Sequence, residues 1–592
     1  MSKISETQKS TFDYIIFRGF ETMDTQSARQ ALPVNKLAWC ENLQIVGPNQ
    51  LIACNGPAPS IAILPGEVIL SKFSANFTPP GGVNTDFIIC FTQSGAGYQV
   101  NAITGAFVKF ALAGTFSPAP DMTVWSSQRI LIADPIAGYC TWDGHTFVQT
   151  GGVSPNIVVT NGGSAYGAPP SVTISGGSGV GATAHSVITG GVVTAVILDT
   201  PGTGFKAGDT LTVTFGSGAA AATAIVWPFF ALTATTLAIF AGRVWLAGTR
   251  NLTWTGTKGF DDAAAADAAG STVINDADLV HQITALRALN NFLYIFGDNS
   301  IKQIGTVTVS GSSTIFNIVT LSSDQGTPFP RAITSYNRLI LFANKVGVYA
   351  VLGASVEKVS DPMDGIFALA DFSQPLQAAV QDLHTSLHTF LLLMRYKDPL
   401  QGITRSLILC FYKNRWFVAN QGNQLTAICT ASIAGLTETF ASSGNDVTQI
   451  FQSNIPVPVI FRTSLSDNNA PHQGKKALRA AIMLSTSNFT TVNFTVDTEN
   501  GSQPFPFQSG SAMVFLNNAG QQVVFLNNAS QVVNFFTTGL LYQRTPAAGT
   551  GIYLGLGLTG TFAGGSGTGG FTINQALLEY QDNAVMASRM SA

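Results

Sequence analysis

Charged side chains are scarce in this chain. Asp, Glu, Lys and Arg make up 10% of its 592 residues, against roughly 25% in an average soluble protein, whereas the apolar fraction of 46% is ordinary. A monomer with so little charge is prone to self-association, because interspersed surface charge keeps protein particles apart. We therefore expect partners to cover much of the surface. The net charge of -3 also argues against a specific DNA reader, which needs clustered Lys and Arg.

Cysteine is rare as well. The six cysteines form no CxxC pair and have no closely spaced histidine; they are Cys40, Cys54, Cys90, Cys140, Cys410 and Cys429. This scatter argues against a disulfide framework or a zinc site and predicts buried, reduced thiols in a protein assembled in the cytosol. The polar segment Met1–Glu6 lacks the apolar core of a signal peptide.

One long stretch, Thr210–Gly242, has no charged residue and is long enough to span a membrane. Gly216, Gly218 and Pro228 interrupt it, and it divides naturally into short strands. We therefore expect no stable membrane insertion.

Familiar catalytic and nucleotide-binding signatures are also missing, since the chain has neither a GxSxG elbow nor a GxxxxGK[ST] loop. Gly565–Gly570 matches GxGxxG, but no βαβ unit surrounds it and no acidic residue follows at the required distance. We expect a hairpin tip there. His384 and His388 have the spacing of a zinc helix, but Leu387–Leu392 is typical of a strand, which would hold the two side chains too far apart for joint ligation.

Five carboxylates cluster in sequence, as in some calcium and glycosidase sites: Asp261, Asp262, Asp267, Asp276 and Asp278. They lack EF-hand spacing, so we expect a solvated loop between strands. Thr141–Phe147 approaches the Asp box of sialidase propellers but is one residue short, and a blade turn is the preferred interpretation. We predict no catalytic, metal or cofactor-binding residues, no cofactor and no enzymatic activity, unless distant residues assemble a site.

What the chain does contain is a recurring unit, a turn residue followed by four or five apolar residues. It occurs at Asn291–Gly297, Asn337–Ala343, Gly242–Gly248 and Gln128–Ala133, with looser copies at Asp86–Phe91 and Ser406–Phe411. The first two copies begin 46 residues apart, and periods of about 40 to 50 residues built from short strands are typical of β-propeller blades. We predict six or seven blades between Trp39 and Phe451, with the ring closed by Gln50–Ala53.

Two regions fall outside this period. The segment Val153–Trp227 is rich in Gly, Ser, Thr, Val and Ala, and its Val172–Ile174 recurs as Leu211–Val213. This duplication predicts a small two-fold β module that is inserted between blades and projects from the ring. Beyond Val459, the repeat of Val514–Ala519 at Val524–Ala529 predicts an antiparallel meander.

The sequence thus predicts an all-β chain, a β-propeller with an inserted β module and a C-terminal β-sandwich. Its closing strand would be Ala576–Tyr580. The predicted divisions are an N-terminal arm at 1–35, propeller parts at 36–153 and 228–458, the duplicated module at 154–227 and the sandwich at 459–592.

Several short segments resemble a known family. Asn35–Leu43 resembles the opening of the tail-tube, or nozzle, proteins of short-tailed bacteriophages (podophages). Segments similar to the central blades of these proteins, or to their C-terminal sandwich, are Gly242–Gly248, Trp254, Gly259–Asp262, Ile283–Leu286, Lys475–Lys476 and Tyr580–Gln581. The Gly-rich duplication resembles modules found in many phage structural proteins.

This resemblance implies a structural protein of the virion tail, of the tail-hub or packaged-DNA stabilisation type, assembled in the host bacterial cytoplasm. A homohexameric ring would sit below the portal and head–tail adaptor proteins, with tail fibres or spikes as further partners. It would retain double-stranded DNA and then conduct it during ejection, without sequence-specific binding. A near-neutral lumen favours sliding, because even roughly six to ten Lys/Arg–phosphate contacts would bind DNA strongly. Two rival functions are a trimeric host-glycan adhesin and a surface-polysaccharide hydrolase with converging carboxylates.

Overall fold

The computed structural model describes most of the chain. Its described residues are 12–47, 50–228, 234–383, 387–399, 402–422, 424–453, 455–486, 490–509, 539–562 and 572–583, with six two-residue strands between 512 and 536. Within these ranges the chain is almost wholly β-structured, with one short helix, α1 (Asp364–Ala368), and 3₁₀ turns at Ala265–Asp267 and Asp361–Met363. The predicted propeller is confirmed, since the described strands form seven blades in a ring.

Five strands precede the first complete blade. They are β1 (Phe12–Phe17), β2 (Leu37–Glu41), β3 (Leu43–Gly47), β4 (Gln50–Ala53) and β5 (Ala62–Ile63). Blade 1 contains β6 (Ile69–Phe77), β7 (Thr85–Thr92), β8 (Gly97–Asn101) and β9 (Phe107–Ala111). Blade 2 contains β10 (Asp121–Trp125), β11 (Arg129–Asp134), β12 (Gly138–Trp142) and β13 (Phe147–Val148).

The inserted module follows blade 2, and three regular blades follow the module. The module contains β14 (Val158–Asn161), β15 (Val172–Ser175), β16 (Val180–Thr189), β17 (Val192–Thr203), β18 (Thr212–Phe215) and β19 (Ala221–Thr223). Blade 3 contains β20 (Thr236–Phe240), β21 (Arg243–Gly248), β22 (Asn251–Trp254) and β23 (Gly270–Val273). Blade 4 contains β24 (Ile283–Leu289), β25 (Phe292–Gly297), β26 (Ile301–Ser310) and β27 (Ser313–Ser322). Blade 5 contains β28 (Ile333–Tyr336), β29 (Leu339–Ala343), β30 (Val348–Leu352) and β31 (Ser355–Lys358).

The last two blades are joined to other parts of the chain. The short strand β32 (Ala370–Asp371) pairs with blade 6, which contains β33 (Gln377–Leu383), β34 (Leu387–Asp398), β35 (Ile403–Tyr412) and β36 (Arg415–Ala419). Blade 7 contains β37 (Ala427–Ile433), β38 (Leu436–Ser442), β39 (Asp446–Ile450) and, as its fourth strand, β5. The ring is therefore closed by a strand from the N-terminal side. The predicted closure by Gln50–Ala53 is wrong, because that strand, β4, pairs with β3 and with the C-terminal strand Thr572–Asn583.

The remaining strands lie in the C-terminal region. They are β40 (Val457–Thr463), β41 (Gly474–Thr486), β42 (Thr490–Thr498), β43 (Gly501–Ser509), β44 (Ala512–Met513), β45 (Phe515–Leu516), β46 (Gln522–Val523), β47 (Phe525–Leu526), β48 (Val532–Val533), β49 (Phe535–Phe536), β50 (Gly539–Pro546), β51 (Thr550–Gly551), β52 (Leu554–Phe562) and β53 (Thr572–Asn583). The predicted closing strand Ala576–Tyr580 lies within β53, which pairs with β1, β4 and β41.

The turn chemistry explains why the recurring unit forms blades. In blades 3, 4 and 5 the two residues between the first and second strands both have positive φ: Ala241–Gly242, Asn290–Asn291 and Asn337–Arg338. Two consecutive residues of this kind form the type I′ turn that matches the twist of a hairpin. Blade 2 has a three-residue turn, in which Ser126 and Ser127 have positive φ. The apolar run that follows is the second strand, which neighbouring blades bury on both faces; all six residues of β21 are buried. The copy at Ser406–Phe411 differs, since it lies in β35, the third strand of blade 6.

The propeller and the C-terminal sandwich share one sheet. The outermost strand of blade 6, β36, pairs in parallel with β2, and the sheet continues through β40, β52, β42 and β43. A second sheet, ordered β3-β4-β53-β41-β50 with β1 and β51 attached, packs against it. Phe461 and Leu558 of the first sheet and Ile482 and Leu578 of the second lie in one core. The strands at residues 37–53, predicted to begin the propeller, therefore belong to the sandwich.

The inserted module has the two-fold symmetry that its duplication predicts. β15 pairs antiparallel with β18, which contains its repeat 39 residues later in the chain. Thr173 corresponds to Thr212 and Ser175 to Thr214, so the two-fold relation converts the pair Thr173↔Thr214 into the pair Ser175↔Thr212. The module does not simply project, however. Its buried Val193, Leu198 and Phe205 share a hydrophobic core with Leu131 of blade 2 and Leu246 of blade 3.

The ten-residue repeat forms short antiparallel pairs, but the described strands do not form the single meander that was predicted. β45 pairs with β46, and β47 pairs with β48, each across one repeat, while β44 pairs with β49. The asparagine turns between them, like Gly565–Gly570, lie outside the described residues. The stretch Thr210–Gly242 contributes β18 and β19 to one sheet of the module and β20 to the sheet of blade 3. No helix within the described ranges has the length and apolar character needed to cross a bilayer.

Candidate functional site

The ring has a central channel. The first strands of all seven blades enclose a cavity of about 430 Å³. Inner strands leave one edge unpaired, so backbone groups as well as side chains border this space. The side chains that line this channel are therefore candidates for a functional site.

Two long side chains beside this channel connect different blades. Arg331, in the loop before β28, donates through Nη2 to the carbonyl oxygen of Pro120 at 2.5 Å and lies over the ring of Phe73, 4.3 Å from its centroid. Gln377 of β33 donates to the carbonyl oxygens of Leu70 and Thr426, at 3.2 and 3.0 Å. Because these partners lie on other blades, the two side chains brace the ring. Burial lowers the pKa of Arg331 to about 9, which leaves the guanidinium charged at neutral pH.

Asp121 at the start of β10 is the acidic centre of this brace. Its Oδ2 accepts from Arg287 Nη1 at 3.0 Å and from Thr236 Oγ1 at 2.6 Å. Arg287 also donates through Nη2 to the carbonyl oxygen of Pro330 at 2.8 Å. Burial raises the pKa of the nearby Cys429 thiol to about 12, so the thiol stays protonated. The arrangement fastens blades 2 to 5 and offers no activated nucleophile.

Of the two histidines considered as metal ligands, the structure describes His388. His388 lies on β34, where its Nδ1 is 2.7 Å from Asp382 Oδ1 and its ring stacks on Tyr336 at 5.4 Å. His384 lies outside the described residues. Among the residues that the structure describes, no three His, Cys, Asp or Glu side chains could hold a metal ion together.

The carboxylate cluster divides into two parts. Asp261 and Asp262 are buried, 3% and 8% exposed, so the predicted solvated loop is wrong for them. Ser154 Oγ donates to Asp261 Oδ2, and Asn156 Nδ2 lies 3.3 Å from Oδ1. Burial raises the pKa of Asp261. The contacts of Asp261 with Ser154 and Asn156 anchor the start of the module to blade 3. By contrast, Asp267 pairs with Lys258 at 2.7 Å. Lys302 pairs with both Asp276, at 2.5 Å, and Asp278, at 3.9 Å.

The incomplete Asp box is a blade turn, as predicted. Asp143 Oδ1 accepts from the backbone N–H groups of His145 and Thr146, at 2.9 and 2.7 Å, between β12 and β13. Asn101 makes the same turn between β8 and β9, accepting from Ile103 and Thr104. Short polar side chains close such turns by bonding to the backbone two and three residues ahead. The repetition of this turn in blades 1 and 2 was not recognised from the sequence.

The outer hairpin of blade 4 is an exposed apolar surface. Residues 303–322, which form most of β26 and all of β27, include no charged residue, and Val309, Ile315 and Val319 are 47%, 55% and 50% exposed. β27 is the last strand of its sheet. Edge strands in isolated proteins are normally protected by charge, proline or a bulge, and β27 has neither charge nor proline. We call this surface the blade 4 hairpin.

A buried carboxyl in blade 7 provides a pH-dependent prediction. Glu438 on β38 is 8% exposed, its Oε2 has no hydrogen-bond partner, and burial raises its pKa above the ordinary 4.5. Folding therefore opposes the ionisation of Glu438. The resulting loss of folding stability is absent below pH 4.5, where the carboxyl is protonated in both the folded and unfolded states, and it reaches its full size above the raised pKa.

We expect Glu438→Gln to stabilise the protein by on the order of 1 kcal/mol at pH 7, since the neutral amide removes the cost of burying an ionised carboxylate and a rise of one pKa unit corresponds to about 1.4 kcal/mol. The gain should fall towards zero as the pH falls through 4.5. Urea unfolding at a series of pH values measures it. A gain that does not change with pH would contradict the assignment of the penalty to ionisation.

Comparisons with known proteins show similarity in fold only at a distance. No protein-family model and no curated protein matches the chain. Among solved structures, BamB from Moraxella catarrhalis is 12% identical with a TM-score of 0.31, over 69% of this chain and 93% of that chain. The Pan2 WD40 domain from Neurospora crassa is 7% identical with a TM-score of 0.34, over 67% and 97%. The RRP9 WD40 repeats are 9% identical with a TM-score of 0.33, over 67% and 99%. Such low values say nothing about function.

Proposed function

We propose that this chain is a structural subunit of a larger assembly, specifically the distal tail tube, or nozzle, of a short-tailed bacteriophage. In this proposal it forms a homohexameric ring in the virion tail, joined to the head–tail adaptor and portal proteins and near the tail fibres or spikes. The ring holds the packaged double-stranded DNA and then conducts it during ejection. The chain acts without a cofactor and is not an enzyme.

The observation that carries the proposal is the blade 4 hairpin. Twenty consecutive uncharged residues form a long edge hairpin with three exposed apolar side chains. An edge of this kind invites pairing with another chain, and the inserted module adds further exposed apolar side chains, such as Val158 and Val180. Surfaces of this composition are expected where a subunit is covered by its neighbours.

The size of the central channel bears on where DNA would pass in the proposed tube. The space between the seven inner strands is about 430 Å³, and Arg331 reaches across it to the carbonyl oxygen of Pro120. A duplex, whose major groove alone is about 12 Å wide, does not fit through it. In the proposed tube, DNA therefore passes between subunits, and the propeller of each subunit is a rigid wall element.

Negative-stain images of the purified protein, together with its sedimentation behaviour, test this assembly. We expect particles with six-fold symmetry around an open lumen. A monodisperse monomer would contradict the proposal. A three-fold spike would favour the glycan-binding adhesin instead, and turnover of host polysaccharide would favour the hydrolase.

The blade 4 hairpin provides a sharper test. We expect the double variant Ile315→Lys and Val319→Lys to raise the apparent dissociation constant of the assembly at least about tenfold, because two ammonium groups would be desolvated at the contact. Val83→Lys, at a site 76% exposed between β6 and β7, is the matched control and should assemble normally. Sedimentation velocity over a concentration series measures both. Unchanged assembly of the double variant would show that the hairpin is not a subunit contact.

A further inference from the structure

A second cavity lies where the propeller, the sandwich and the N-terminal arm meet. It has a volume of about 490 Å³, within the range of small-molecule sites, which prefer such junctions. We call it the junction cavity. One wall is the outer face of the shared sheet, and the opposite wall is the segment around Thr25 together with Ile366 and Leu369 of the α1 region.

The sheet wall combines aromatic surface with one arginine. Trp39 of β2 lies directly opposite Arg462 of β40 in the register of the sheet. The rings of Trp39 and Tyr396 are 5.8 Å apart and tilted by 32°. Ile460 lies two residues from Arg462 on the same strand and borders the cavity as well. An apolar body can pack here within reach of a guanidinium group.

The other charged groups around the cavity are already paired. Arg405 binds both Glu41 and Asp398, Arg29 binds Asp497, and Lys36 binds Asp24. Arg462, in contrast, has no ion pair within the ranges that the structure describes. A guanidinium group offers five N–H donors in a planar fork that fits a carboxylate or sulfonate. Among the described residues, Arg462 is therefore the charged group of this cavity that is free to bind an anionic ligand.

We propose that the junction cavity binds a small organic anion with an aromatic or similarly apolar body. The body packs against Trp39, Tyr396 and Leu369, and the anionic group accepts hydrogen bonds from Arg462. The binding is independent of the assembly proposed above, since every group involved belongs to one chain.

Isothermal titration calorimetry with 2-naphthoate tests the proposal, with neutral 2-naphthamide as the matched probe. We expect saturable binding of one naphthoate per chain and about tenfold weaker binding of the amide, because the amide cannot form charge-assisted bonds with Arg462. Arg462→Gln should weaken naphthoate binding about tenfold and leave amide binding unchanged. Arg462→Lys, which keeps the charge but loses the fork, should restore part of the loss.

Arg479→Gln is the control variant, because Arg479 is an exposed arginine on β41 of the other sheet. It should bind naphthoate as the unaltered protein does. Absence of saturable binding, or equal affinities for naphthoate and naphthamide, would overturn the proposal even if Arg462→Gln fails to fold. Equal naphthoate binding by folded Arg462→Gln, verified by circular dichroism, would overturn it as well.

Discussion

Replacing Arg405 with methionine is expected to destabilise the protein by about 3 to 5 kcal/mol. Arg405 holds Glu41 through two parallel bonds, of 2.6 and 2.9 Å, and Asp398 through Nε at 3.0 Å. Burial by itself would lower the pKa of Arg405, but the two carboxylates outweigh it and raise that pKa. The side chains of Arg405 and Glu41 are 3% and 1% exposed. Without the guanidinium group, two carboxylates would remain buried without a countercharge.

Urea unfolding followed by tryptophan fluorescence measures this effect, because Trp39 donates to Glu41 beside the ion pair. Lys258→Met is the matched control. It removes a cation from an ion pair with Asp267 in which the lysine side chain is 73% exposed, and exposed pairs contribute little. We expect no measurable change for the control. A change below 1 kcal/mol for Arg405→Met would mean that water reaches the three side chains.

A triple variant separates the charge effect from the packing effect. Adding Glu41→Gln and Asp398→Asn to Arg405→Met removes the uncompensated charges and keeps similar side-chain volumes. We expect it to recover a substantial part of the lost stability, since neutral replacements of a buried ion pair are often tolerated. A triple variant as unstable as Arg405→Met would attribute the loss to packing.

Trp227→Ala is expected to cost about 3 to 5 kcal/mol, the usual range for a buried aromatic residue replaced by alanine. Trp227 is fully buried, donates through Nε1 to the carbonyl oxygen of Tyr139 at 2.7 Å, and lies 5.0 Å from the ring of Tyr139 and 6.0 Å from that of Phe260. It therefore fastens the end of the inserted module to blades 2 and 3. Its loss should release the module from the ring as well as destabilise the chain.

Limited proteolysis distinguishes local release from global unfolding. We expect Trp227→Ala to be cleaved within residues 154–227 faster than the unaltered protein, while the ring strands stay protected. Ile225→Ala is the control, because Ile225 is two residues away and 46% exposed, and exposed substitutions rarely change stability by more than about 0.5 kcal/mol. Equal cleavage of both variants would show that the module is held by other contacts.

Several features of this protein follow from the sequence alone. The turn pairs such as Asn290–Asn291, followed by apolar runs, predict the blades, because both the turn and the strand are determined by neighbouring residues. The duplication around Val172–Ile174 and Leu211–Val213 predicts a two-fold module for the same reason. The scarcity of charge and the missing catalytic motifs are likewise properties of composition, and they led to the expectation of a covered structural subunit.

Only the tertiary structure decided which distant segments meet. Among the strands, β5 rather than β4 closes the ring, and blade 6 continues into the sandwich. Among the side chains, Arg331 reaches across the channel to Pro120, and Arg405 binds Glu41, 364 residues away in sequence. An apolar strand can pair with many others in many registers, so its partner is determined by the packing of the whole core. Buried ion pairs and cavities depend on that packing in turn, which is why no local pattern in the sequence revealed them.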